Sequence, residues 1–221
     1  MAKPVKKITT YLVITILLSS IIYIQIIQAH SIGGYSFLLM WCPGIAAIIT
    51  QLIFDRSLRG MGWKFRPIKY QLVSYLTPLG YALVAYLVLW GAGLGHFAPG
   101  EIQQEISGQM NLPASLSTPI FVIVYFLISA TLTVFFSGIL ALGEEIGWRG
   151  LLVPELAKIT SYPKVGLISG LIWTVYHVPL ILFADYNNEG VSVWYGLFCF
   201  TVMIVATSFI YAWLRLRSME Q

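Results

Sequence analysis

Two adjacent glutamates and a nearby arginine are the side chains in this sequence best placed to do chemistry. Glu144 and Glu145 follow an apolar run, and Arg149 comes four residues after Glu145. In a helix this spacing places Glu145 and Arg149 on one face with the acid first, which favours an ion pair. Glu144 is rotated by about 100° from Glu145, so we expect it to stay free. Burial disfavours the charged form of an unpaired carboxylate, which suits such a group to proton transfer near neutral pH.

A histidine in the next apolar run is the second candidate for chemistry. Trp173 and His177 are four residues apart, and Pro179 is expected to bend a helix just beyond them. An imidazole in such a run can bind a metal, hold a water molecule or shuttle a proton. Taken singly, Glu145 and Arg149 could be a structural ion pair, and His177 a hydrogen-bonded core residue. Their joint occurrence in neighbouring runs favours a reaction site.

The elements that must position these side chains are membrane-spanning helices. Of the 221 residues, 58% are hydrophobic and only 10% are charged, whereas soluble domains carry roughly 25% charged residues. Six apolar runs have about the 20 residues that a helix needs to cross a bilayer, and they are too long for the strands of a barrel. We therefore predict an all-α, polytopic helix bundle of six spans. The spans are residues 9–28, 35–54, 70–93, 119–142, 165–183 and 193–214.

The basic residues indicate how these six spans are oriented. All 13 lysines and arginines lie before span one, between spans two and three, between spans four and five, or after span six. This positive-inside pattern predicts a multi-pass protein of the cell membrane. Its N-terminus, its C-terminus and the Glu144 end of span four are expected to be cytoplasmic. Because the basic residues are divided among four segments with no soluble domain to present them, we expect no nucleic-acid partner.

The segments between the spans contribute less chemistry. The outer segment 95–117 is polar enough to be a short surface helix or a mobile lid. Residues 151–161 are typical of a short amphipathic helix beside the membrane, bracketed by Pro154 and Pro163. Small residues near the acids allow neighbouring helices to approach closely. These residues are Gly143, Gly147 and Gly150.

The two reactive groups together resemble the first two motifs of the CPBP family. Glu-Glu-x-x-x-Arg occupies 144–149, and aromatic-x-x-x-His occupies 173–177 on the next span. The family comprises CAAX-type prenyl-protein endopeptidases and bacteriocin-processing or self-immunity membrane proteins, also called the abortive-infection family. It usually has Phe where this chain has Trp173, and the similarity extends over roughly 135–217.

The resemblance implies an intramembrane metalloendopeptidase that acts on a peptide or protein substrate within membrane lipid. Glu144 matches the family's catalytic glutamate, which activates the attacking water, and Glu145 and Arg149 match the pair that shapes the site. His177 matches the histidine that positions water or a metal. Because the family is often described as zinc-dependent, the resemblance makes Glu144 and His177 the expected zinc ligands.

Family members continue beyond a segment like the last span here into further spans, which carry another His and a nearby Asn. No His follows His177 in this sequence, so we predict a single CPBP-like domain over residues 1–221, truncated at its C-terminus. A catalytically impaired membrane-binding or bacteriocin-immunity protein is therefore the alternative function. A proton-coupled transporter would also explain an intramembrane Glu and His. The sequence lacks the internal repeat and paired half-helices that transporters often show.

Overall fold

Helices account for all regular elements in the part of the chain that the computed structural model describes. That part comprises residues 3–64, 67–96, 98–110, 117–186 and 190–219. The predicted all-α class is confirmed. The α-helices are α1 (Lys3–Ala29), α2 (Tyr35–Asp55), α3 (Ile68–Gly91), α4 (Pro99–Met110), α5 (Thr118–Ile128), α6 (Val134–Glu145), α7 (Val153–Ala157), α8 (Tyr162–Phe183) and α9 (Val193–Met219), and two π-helical turns are π1 (Ser129–Thr133) and π2 (Ile146–Leu152).

Six helical segments among the described residues are long and apolar enough to cross a membrane, as predicted. Five of them are α1, α2, α3, α8 and α9. The sixth is a composite helix of 40 residues, Thr118–Ala157, in which α5, π1, α6, π2 and α7 follow one another directly. The acidic motif lies within this composite helix.

The C-terminal end of the composite helix differs from our prediction. We expected a span over 119–142 and a separate amphipathic helix over 151–161, but the helix continues through the motif to Ala157. Pro154 does not break it, because it lies in the first turn of α7, where proline is tolerated. The motif is helical as expected, but π2 begins at Ile146, directly after the two acids.

The chain divides into two compact units, Met1–Pro67 with Leu140–Gln221, and Ile68–Ile139. The second unit contains α3, α4 and α5. The Tyr75 hydroxyl of α3 donates a 2.7 Å hydrogen bond to the Ala130 carbonyl oxygen there. Over 99–110 the outer segment is a helix, one of the two forms left open. The predicted single domain over 1–221 stays a prediction.

In the first unit, α2 packs directly on the helix that carries the acids. A Cβ added to Gly143 would lie 2.5 Å from the Met40 carbonyl oxygen. One added to Gly147 would lie 2.6 Å from both Pro43 Cβ and the Tyr11 hydroxyl. No side chain fits at such separations, so glycine permits this close approach, as the sequence predicted. The acidic motif is held against α2 and α1.

Charged side chains gather at one end of the first unit. Lys7 is 3% exposed, and its Nζ lies 2.5 Å from an Asp55 oxygen and 2.8 Å from a Glu155 oxygen. Lys3 contacts the same aspartate, and Lys158 contacts the same glutamate. The start of α1, the end of α2 and α7 therefore meet at one end, which agrees with the grouping of basic segments in the sequence.

Candidate functional site

The carboxylate of Glu144 is buried and receives two hydrogen bonds from indole groups. Its Oε2 accepts from Trp173 Nε1 at 2.6 Å and from Trp148 Nε1 at 3.2 Å. Among the described residues Glu144 forms no ion pair, in line with our expectation that Arg149 would pair with Glu145, but it is held by two indole donors that we did not predict. The sequence could not show this arrangement, because Trp173 belongs to α8 and reaches Glu144 only through tertiary packing.

Trp148 is fixed so that it can make this contact. Its side chain is 2% exposed. Its ring packs edge-on against Tyr11 of α1 and Tyr176 of α8, at centroid distances of 5.8 and 5.4 Å. The Tyr176 hydroxyl is held in turn by the Leu39 carbonyl oxygen at 2.7 Å. Three helices therefore hold the indole that donates to Glu144.

Glu145 and Arg149 form the predicted ion pair, with 2.9 Å between Oε1 and a guanidinium nitrogen. The guanidinium carbon also lies 4.1 Å from the ring centre of Trp173 and 4.6 Å from that of Tyr211. Both contacts have cation–π geometry. Tyr211 was missed in the sequence, where no spacing relates an aromatic residue of the last span to the acidic motif.

His177 is buried in a cluster of aromatic rings, one helical turn beyond Trp173. Its Nδ1 lies 3.0 Å from the Trp173 carbonyl oxygen, and its ring lies 5.7 Å from Tyr186 and 5.1 Å from Phe200. Because a carbonyl only accepts, the neutral imidazole carries its proton on Nδ1 in this contact, which leaves Nε2 as the basic nitrogen. The predicted shared face of Trp173 and His177 is confirmed.

Trp173 is the residue that connects the two halves of the predicted site. Its indole N–H binds Glu144, its ring stacks on Arg149, and its backbone carbonyl accepts from His177. Among the described residues, His177 makes no hydrogen bond to Glu144. The structure therefore brings Glu144, Arg149 and His177 around one tryptophan, and Glu145 joins them through its ion pair with Arg149.

Two cavities border the site. One of about 560 Å³ lies between α1 and α8 and is mostly apolar, with Trp148 and Tyr176 in its wall. The other, of about 180 Å³, is lined in part by Glu145, Arg149 and Arg215. Trp148 thus lines the larger cavity and also donates its indole N–H to the Glu144 carboxylate.

The described residues do not by themselves form a three-ligand zinc site. Catalytic zinc is held by three protein ligands, and no group of three His, Cys, Asp or Glu side chains in the described ranges is placed to hold a metal ion. The groups that contact the Glu144 carboxylate are indole N–H donors, which cannot coordinate a cation. Zinc bound by Glu144 and His177 stays a prediction from the resemblance.

The fold and site define a membrane protein with a buried acid, an ion pair and a histidine arranged inside a helix bundle. Residues 120–220 match the family described as Type II CAAX prenyl endopeptidase Rce1-like. A protein of Methanococcus maripaludis, called CAAX prenyl protease 2, is 27% identical over 221 residues, which covers 96% of this chain and 75% of that protein. No solved structure gives a significant match.

The chain is therefore similar to the Rce1-like family of CAAX prenyl endopeptidases, which confirms the resemblance drawn from the two motifs. The matched region contains Glu144, Glu145, Arg149 and His177. The class is therefore a membrane-embedded protease.

Proposed function

We propose that this protein is an intramembrane endopeptidase in which Glu144 activates water to hydrolyse a peptide bond. The observation that carries this proposal is the asymmetry of the Glu144 carboxylate. Both indole donors bind Oε2, and Oε1 accepts no hydrogen bond from a described residue. One oxygen is thus anchored, and the other is left to take a proton.

In the proposed reaction, Glu144 Oε1 takes a proton from water while the water oxygen bonds to the peptide carbonyl carbon. The proton then passes to the amide nitrogen, the C–N bond breaks, and a carboxylic acid and an amine leave. The basic Nε2 of His177 is suited to orienting the water. No step depends on a metal ion.

The ion pair has a supporting role in this proposal. Arg149 balances the charge of Glu145 and stacks on Trp173, so it holds the ring whose N–H binds Glu144. The planar guanidinium can stack flat on the ring while its edge donates to the carboxylate, a geometry that a lysine ammonium does not reproduce. The ion pair therefore neutralises the charge of Glu145 and fixes the position of the Trp173 ring.

The larger cavity beside Trp148 is suited to an apolar part of the substrate. Its walls come mainly from Leu12, Ile16, Leu171 and Val175 and similar side chains. The relative's name makes a prenylated CAAX peptide, in which three residues follow the prenylated cysteine, the first substrate to assay. Other lipid-modified or unmodified membrane peptides are the comparison set.

Substitution of Glu144 by Gln tests the proposal. We expect Glu144→Gln to lower kcat by about 10²-fold or more, since a positioned general base contributes roughly 10²–10⁴-fold. The measurement is peptide cleavage by purified protein in micelles, followed by mass spectrometry. The matched control is Glu101→Gln, an exposed acid of α4, which should retain full activity. Unchanged cleavage in Glu144→Gln would rule out Glu144 as the general base, whereas no cleavage by the wild-type protein would favour the alternative, a membrane-binding or immunity protein.

A further inference from the structure

The π-helical turn after the two acids leaves one backbone carbonyl without a donor from its own helix. The Val153 N–H donates to the Trp148 carbonyl oxygen, five residues back. In the same register the next carbonyl, that of Arg149, would accept from the N–H of residue 154. That residue is Pro154, which has no N–H. A buried carbonyl in this position requires a donor from elsewhere.

Arg215, near the end of α9, supplies that donor. Its Nε lies 2.8 Å from the Arg149 carbonyl oxygen, and one of its terminal nitrogens lies 3.1 Å from the Gly60 carbonyl oxygen. Gly62 has a φ of 97°, and a Cβ there would lie 2.7 Å from the Arg215 guanidinium. One guanidinium therefore joins α9, π2 and the loop that follows α2.

We propose that Arg215 is a positioning residue for the peptidase reaction. By its hydrogen bond to the Arg149 carbonyl it holds π2 in the five-residue register. That register keeps the indole N–H of Trp148 in hydrogen-bonding contact with the Glu144 carboxylate, and it keeps the Arg149 guanidinium against the ring of Trp173. A return to the α register would rotate the segments on either side of π2 by about 100° relative to each other.

This inference rests on the proposed function, because the geometry that Arg215 maintains matters to catalysis only if Glu144 is the base. It differs from the topological role that the sequence assigned to Arg215 as one of 13 basic residues. A topological role needs a positive charge near this membrane edge. The positioning role needs a donor aimed at one carbonyl.

A double-mutant cycle with Pro154 separates these roles. Arg215→Met should lower kcat roughly tenfold, because a hydrogen bond from a charged donor is lost, while KM changes less than about twofold. Pro154→Ala restores an N–H five residues after Arg149. We therefore expect Arg215→Met to lower kcat less than about threefold in the Pro154→Ala background. Arg215→Lys should fall between wild type and Arg215→Met.

Arg217→Met is the matched control, since it removes the same charge from an exposed position two residues further along α9. It should leave kcat unchanged. An equal loss of kcat from Arg215→Met in both backgrounds would overturn the proposal. An equal loss in Arg217→Met and Arg215→Met would return Arg215 to a purely topological role.

Amide hydrogen exchange provides a readout that does not depend on peptidase activity. In micelles, the amide hydrogens of peptides covering 146–153 should exchange at least about tenfold faster in Arg215→Met than in wild type. The reason is that π2 loses its tether, the hydrogen bond from Arg215 to the Arg149 carbonyl oxygen. Pro154→Ala should largely remove this difference. If Glu144→Gln leaves cleavage intact but the exchange pattern holds, the proposed function fails and the tether stands. If exchange is the same in Arg215→Met and wild type, the tether itself is wrong.

Discussion

Glu144 is a buried carboxylate whose negative charge is met by two indole N–H groups, while the nearby cation is committed to Glu145. This division matters chemically, because a carboxylate locked to a guanidinium is a poorer proton acceptor. The 100° rotation between adjacent helical residues was enough to predict which acid would pair with Arg149. The donors to the other acid could not be predicted, since one of them arrives from α8.

Trp173→Phe isolates the role of one N–H group. Phenylalanine keeps an aromatic ring against Arg149 but removes the 2.6 Å hydrogen bond to Glu144. We expect kcat to fall roughly tenfold, since a hydrogen bond to a charged group is worth about 1.5–3 kcal/mol. The control is Trp194→Phe on α9, where the ring is 71% exposed. Equal kcat values for Trp173→Phe and wild type would show that the N–H is dispensable.

The composite helix 118–157 is the element that builds the site. Its two π turns were not predicted, because the same residues satisfy either hydrogen-bond register and the sequence pattern does not distinguish them. Its length was underestimated for a related reason. The close contacts of Gly143 and Gly147 with α2 and α1 stabilise the helix at positions where glycine has a low helix propensity.

Gly147→Ala tests this close approach. The added methyl would overlap Pro43 and the Tyr11 hydroxyl at 2.6 Å, so we expect a loss of about 1–3 kcal/mol in the free energy of unfolding. Unfolding of the purified protein in mixed micelles measures it. Gly138→Ala is the control in the same composite helix, because a Cβ there meets no atom within 4 Å. Equal stability of the two variants would contradict the tight interface.

At the scale of the whole molecule, charge placement and tertiary structure agree. The basic segments that the sequence groups on one side meet in the first unit, where Lys7 joins Asp55 to Glu155 and Arg215 joins π2 to the loop after α2. The cytoplasmic location of this end stays a prediction from the positive-inside pattern. The buried network explains why several basic residues do more than set topology.

Lys7→Met should destabilise the first unit. Lys7 is buried between two carboxylates, and removing one partner of a buried ion pair costs about 3–5 kcal/mol. Because Lys3 and Lys158 remain beside these acids, we expect about 3 kcal/mol, the lower end of this range. The same unfolding assay applies, with the exposed Lys6→Met as control. An equal loss of stability in both variants would indicate that the positive charge acts through membrane insertion and not through the ion pairs with Asp55 and Glu155.

The predicted topology is tested with reporter fusions. Green fluorescent protein fused at either terminus should fluoresce, because it folds in the cytoplasm, whereas alkaline phosphatase fused at those positions should be inactive. Alkaline phosphatase inserted after residue 107, in the outer segment, should be active. Activity of the phosphatase at the C-terminus would reverse the assigned orientation.

The sequence alone determined the class of the protein, its six spans, the Glu145–Arg149 pair and the family that the chain resembles. These depend on composition, on run length and on spacing within one helix, all of which are local properties of the chain. Only the tertiary structure decided which distant residues reach the site, because Trp173 at Glu144 and both Tyr211 and Arg215 at Arg149 come from segments far apart in sequence. The register of π2 belongs to the same category. It depends on a carbonyl left open by Pro154 and on a donor 66 residues away.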